Sequence, residues 1–278
     1  MNEPGAPPDI RRELATRRSR WSSWAEVVAA DLGIRTERHD PRVLMLHAPG
    51  RLLAFHGLLG PSVGHAMQLF SDSVALTRLR WSQVSLPVPG YRLLSRRDVE
   101  GAWRAVDGFG GTAMLGSVVL GAGTNHIVDR TDEAGFRQAW QAAAEATGTG
   151  RTYNRLLIEP VPQGRDVRVT VVGGDVVVAR EVSPAAFNQR AVASSPAQPV
   201  EEPVVLDAKV TDLVARASAA LPQIPYCTIH MALEGEPSGA VSALLRHVEL
   251  EPAVEEMADA AVEAIVRSVI EFELAYEP

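Results

Sequence analysis

"LLIEPVPQGRDVRVTVVGGDVVVAREV", residues 156–182, is the stretch that decides the fold. Side chains alternate across a strand, so Val167, Val169 and Val171 point to one face while Asp166, Arg168 and Thr170 point to the other. Gly173 and Gly174 supply the positive φ angles of a two-residue hairpin turn. One face of this hairpin packs. The polar face either meets water or holds something.

Outward from the hairpin, "RHVELEP" (246–252) repeats the pattern, with His247, Glu249 and Glu251 on one face and Val248 and Leu250 on the other. Two carboxylates at i and i+2 repel unless a cation or solvent relieves them, and an oxygen-only set suits Mg²⁺. "TIHMAL" (228–233) sets His230 opposite in phase to Ile229 and Met231. If the two strands pair, His230, His247, Glu249 and Glu251 form a set of the kind that holds Mn²⁺, Fe²⁺ or Zn²⁺.

The remaining elements come in segregated blocks. Helices are expected over 10–31, from Ser71 with Ser71 or Ser73 as cap, over 95–108, 131–148 and 207–221, and near 253–275. Strands are expected at 42–48, 51–57, on either side of a Gly-rich turn within 112–128, and at 226–233 and 241–251, while 191–203 reads as a surface loop. Hairpins without regular βαβ alternation indicate an α+β architecture.

With 278 residues, 46 % apolar content and no apolar run near the roughly 20 residues that span a bilayer, the chain reads as a soluble globular protein with no membrane partner. Its start carries Pro and Asp and no apolar signal core, which points to the cytoplasm. A net charge of -7 argues against nucleic-acid binding, and the arginines at 11, 12, 17, 18 and 20 read as a solvated helix face. The single cysteine, Cys227, excludes an internal disulfide and reads as a small buried apolar residue. Lys209 is the one lysine among 27 basic residues, so any mechanism that needs a lysine has one candidate.

"GRDVRVTVVGGDVVVA" resembles the central hairpin of ATP-grasp ligases of the cyanophycin synthetase and D-alanine:D-alanine ligase type, and "VELEP" resembles their carboxylate-rich metal strand. "SVALTRLRWSQVSLPVPG" (73–90) is similar to the family helix that enters an extended Pro segment, and "LGAGT" (120–124) falls at the flexible phosphate loop. The resemblance covers residues 55–255. It implies an abbreviated N-terminal lobe (1–70) and two α+β subdomains around a cleft (71–153 and 154–278). It further implies ATP and Mg²⁺ as cofactors and small carboxylate and amine substrates. By the same resemblance Glu159 lies on the adenine hinge, Asp166 holds the ribose, Gly121 and Gly123 cover the phosphates, Glu249 and Glu251 bind Mg²⁺, and Arg168 acts in catalysis.

The family's two phosphate-binding lysines fall on Val74 and Met114, and its metal-binding Asp falls on His230. Two lost charged contacts amount to about 3–6 kcal/mol, or roughly 10²–10⁴ in affinity. Arg78, one helical turn after Val74, is the candidate replacement. Three readings follow. The chain is a degenerate ligase acting as a binding or accessory subunit for a partner protein, a working carboxylate-amine ligase using Arg78, Arg168 and backbone amides, or a repurposed metal site. The apolar positions of the last helix, Met257, Ala261, Ile265 and Val269, suit its own core, and a homodimer is the other use they leave open.

Overall fold

The computed structural model describes residues 19–39, 42–118, 125–146, 154–182, 201–221, 224–235, 242–251, 254 and 257–277. Within these, seven helices and twelve strands form three antiparallel sheets.

The N-terminal lobe joins helix α1 (Arg20–Asp31) to a sheet of β1 (Arg35–Arg38), β2 (Val43–Ala48) and β3 (Arg51–His56). Trp21, Trp24, Ala25 and Val28 line one helical face and meet Leu44, Leu46, Leu53 and Phe55 from the sheet. The C-terminal helix α7 (Asp259–Ala275) completes this core with Val262, Ile265, Val266, Val269 and Ile270. The last helix thus serves its own chain. Arg20, expected on a solvated face, is buried and ties the two helix starts together. Its guanidinium donates to the carbonyl oxygens of Val254 (2.6 Å) and Met257 (2.7 Å) and to Asp259 (2.5 Å). The other arginines of that cluster lie outside the described residues.

The quoted hairpin is β8 (Arg165–Val172) and β9 (Asp175–Val182), turned by Gly173 (φ 61°) and Gly174 (φ 97°). It sits in a five-stranded sheet with β10 (Glu201–Pro203), β11 (Tyr226–Glu234) and β12 (Ser242–Glu249), in the order β10-β9-β8-β11-β12. Val167, Val169 and Val171 pack with Ile229, Met231, Leu245 and Val248 beneath helix α6 (Ala208–Ala219). Cys227 is in the same core, and burial pushes its thiol up to about 12, so it is inert filling. The loop expected at 191–203 ends in β10, which pairs Glu201 with Val182, and Pro203 is tolerated because the strand is at an edge.

The third sheet has the order β4-β7-β5-β6, from β4 (Arg92–Ser95), β5 (Thr112–Ser117), β6 (His126–Asp129) and β7 (Arg155–Pro160). Helices α4 (Val99–Gly108) and α5 (Glu133–Ala146) cover one face through Trp103, Val106, Phe136, Trp140 and Ala143. Two short helices, α2 (His65–Ser71) and α3 (Val74–Gln83), bridge the lobes. Ser73, one of the two expected caps, accepts from the Leu76 amide at 3.3 Å, and the Val74 amide donates to Val118 O at 3.0 Å. Among the described residues no helix is long and apolar enough to cross a membrane.

Candidate functional site

The polar face of the hairpin is not wet. Cross-strand register sets Arg180, Arg168, His230 and His247 side by side across β9, β8, β11 and β12. Arg168, Arg180 and His230 are all under one tenth exposed. The imidazoles of His230 and His247 stack with centroids 4.0 Å apart, and His230 Nε2 lies 3.2 Å from a Glu249 oxygen. Thr170 and Thr228 share a hydrogen bond at 2.9 Å below this row.

Two β-bulges set the composition of the row. A two-residue turn that pairs Val172 with Asp175 would continue by pairing Arg168 with Ala179. A register shift after Thr170 moves Arg180 there instead. A second shift lets His230 pair with His247 and Met231 with Leu245, which leaves Arg246 as the extra residue and turns it to the same side.

The facing wall comes from the four-stranded sheet, where Met114 and Glu159 are cross-strand partners. Glu159 is 1 % exposed and forms an ion pair with Arg78, itself 1 % exposed. Arg78 Nε donates to the Arg246 carbonyl at 2.7 Å, and its guanidinium lies 5.5 Å from the centre of the Tyr91 ring. Arg246 stands between both walls, 3.7 Å from Glu159, 3.9 Å from Asp166 and 3.9 Å from Met114 Sδ. Burial, then the neighbouring charges of His230, Arg246, Arg78 and Arg168, drives the His247 pKa well below its ordinary value, so the ring is neutral.

The structure therefore brings together Arg78, Glu159, Asp166, Arg168, His230, His247 and Glu249 of the sequence-derived set. Glu251 is not among them. It pairs with Arg42 at 2.8 Å and accepts from the Leu58 amide at 3.2 Å, holding a loop of the N-terminal lobe. Among the described residues no group of three or more His, Cys, Asp or Glu side chains is arranged to hold a metal ion. Gly121 and Gly123 lie outside the described residues. Sequence reasoning missed Arg180, Arg246 and Tyr91. The arginines were visible, but strict alternation assigns Arg246 to the opposite face, and only a bulge corrects that.

At the positions that the resemblance assigns to the triphosphate, the described side chains are not the family's two lysines. Val74 and Met114 are buried apolar side chains, and the replacement cation Arg78 is held by Glu159 inside the protein.

No protein-family model and no curated protein sequence matches the chain. Solved structures do. A D-alanine–D-alanine ligase from Bacillus anthracis superposes with a TM-score of 0.57 at 15% identity, over 75% of this chain and 69% of that one. The ATP-grasp ligase PsnB, complexed with a minimal precursor, gives 0.53 at 16% identity, over 74% of this chain and 61% of its own. A bifunctional glutathione synthetase from Pasteurella multocida gives 0.63 at 11% identity, over 93% of this chain and 44% of that one. The chain thus spans less than two thirds of the length of PsnB and of the glutathione synthetase. The three sheets, the bulged central hairpin and these superpositions together establish that the chain has the ATP-grasp fold.

Proposed function

We propose that this chain is a divergent ATP-grasp protein, derived from ATP-dependent carboxylate-amine ligases, whose nucleotide site is degenerate and which acts as a binding or accessory subunit. The observation that carries this reading is the buried Arg78–Glu159 ion pair, joined by Arg246. A cation sealed against an internal carboxylate is unavailable to a phosphate, because breaking a buried pair leaves an uncompensated charge costing about 3–5 kcal/mol. Added to the two replaced lysines at about 1.5–3 kcal/mol each, this removes the affinity a micromolar nucleotide site needs. Calorimetric titration with ATP in the presence of Mg²⁺ tests it. No heat at millimolar ATP is expected, and binding in the micromolar range would overturn the reading.

A second reading, an active carboxylate-amine ligase, is favoured by one observation: the row of Arg180, Arg168 and Arg246 gives the cleft a positive wall suited to anions. It predicts release of ADP or AMP that depends on an added acid and amine and falls in Glu249→Gln. An unchanged rate in that variant would remove the second reading.

A further inference from the structure

Strand β6 is the last in its sheet, and among the described residues no strand lies along its outer edge. Beside that edge runs a groove of about 610 Å³, within the volume range of ligand sites, between β6 and α5. Its floor is small and apolar. Gly135, Ala139 and Ala142 line it at helical spacing, and Ile127 contributes a side chain that is half exposed (51%).

One end of the groove is acidic. Asp129 and Asp132 both line it. The Thr131 amide and hydroxyl hold Asp129 below the usual carboxylate range, and the Gly135 amide donates to Asp132 at 2.8 Å. The neighbouring arginines are turned elsewhere. Arg130 lies over the Trp103 ring at 4.1 Å and bonds Asp107 at 2.6 Å, and Arg137 bonds Glu100 at 2.7 Å and Glu133 at 2.8 Å. Neither arginine lines the groove.

We propose that this groove binds an extended peptide segment of a partner protein, which adds a strand to β6. In such a complex, main-chain hydrogen bonds supply affinity and alternate side chains supply selectivity. Here the side chains turned toward α5 are small and apolar, seated on Ala139 and Ala142, those turned the other way lie beside Ile127, and a Lys or Arg at one end meets Asp129 and Asp132. A helix bearing bulky residues at these positions would fill the groove, so the small side chains and the open edge belong to one device. Ile127 is the register partner of Met114, so the outer side chains of the added strand border the cleft face of the sheet while its inner ones rest on α5.

Random peptides displayed on phage, panned against the intact chain, test this. Selected peptides should alternate apolar residues with Lys or Arg and lose binding when alternate backbone nitrogens are methylated. They should bind about tenfold or more weakly to Ile127→Glu and to Ala142→Arg, variants at exposed positions whose melting temperature should match the wild type. Enrichment of no peptide above an unrelated-protein control would overturn the proposal, as would peptides that bind both variants undiminished. A dimer that Ile127→Glu dissolves would also overturn it, by giving the edge to a second copy of the chain. Since the probe is a peptide and not ATP, failure here is distinguishable from failure of the function proposed above.

Discussion

Removing the charge on Glu159 would strand Arg78, which has no exposed surface through which to find water. Glu159→Gln is therefore expected to cost about 3–5 kcal/mol in urea denaturation, whereas Glu159→Leu combined with Arg78→Met should recover most of it, since a packed apolar pair replaces a buried ionic one at little cost. His247 gives a second test at this scale. Unfolded, its pKa is about 6.5, and in the fold it is well below that, so between the two values the unfolded chain binds the extra proton. Its contribution to stability is complete above about pH 6.5 and is lost as the pH falls below it. Subtracting the pH profile of His247→Gln from that of wild type should leave this slope, and a flat difference would mean that folding leaves the ring's proton affinity unchanged. Residue identities were legible in the sequence throughout. Their partners were not, because Arg78 and Glu159 are 81 positions apart.

Loops and strands carry the next level. Gly57 has φ 61°, and a Cβ there would sit 1.7 Å from Glu251 Oε1, so an alanine would have to adopt left-handed backbone and displace the Glu251 carboxylate that ties the loop after β3 down. Gly57→Ala is expected to cost about 1–3 kcal/mol. Glu251→Ala alone should cost about 1 kcal/mol or less, because the Arg42–Glu251 pair is half exposed. The double variant should be more stable than Gly57→Ala, since the clash is gone and only the positive φ remains, and thermal melting of the three proteins checks this. The hairpin around Gly173 and Gly174 was read correctly from its alternation and turn. Strands β1, "RTER", and β4 were not, because a four-residue run at a sheet edge has too few buried side chains to leave a periodic signal. The bulges were also silent, since a one-residue shift within a strand leaves the sequence looking regular.

At the scale of the whole molecule, one buried carboxylate joins three parts of the chain. Glu273 on α7 accepts from the Ser62 hydroxyl (2.5 Å) and amide (3.1 Å) and from the Tyr226 hydroxyl (3.1 Å), which itself accepts from the Gly60 amide at 2.6 Å. Burial, then the charge on Glu273, pushes the Tyr226 pKa upward, so the phenol stays a donor. Glu273→Ala should cost at least about 3 kcal/mol, because it leaves buried donors without an acceptor. Hydrogen exchange at the Gly60 and Ser62 amides should speed up beyond the change in global stability. Equal protection in variant and wild type would mean that the loop is held by packing alone.

The sequence by itself determined the α+β class, the central hairpin with its two faces, and the order of pieces that resembles the ATP-grasp ligases. The class and the hairpin follow from local alternation and turn chemistry, which each segment carries independently of its neighbours, while the resemblance rests on the quoted motifs and their order. Only the tertiary structure decided that Arg78 is spent on Glu159, that Arg180 and Arg246 join the cleft, and that Glu251 leaves it to hold the N-terminal lobe. These outcomes depend on which distant side chains meet and on register shifts of a single residue. Charge pairing and burial are properties of the assembled chain.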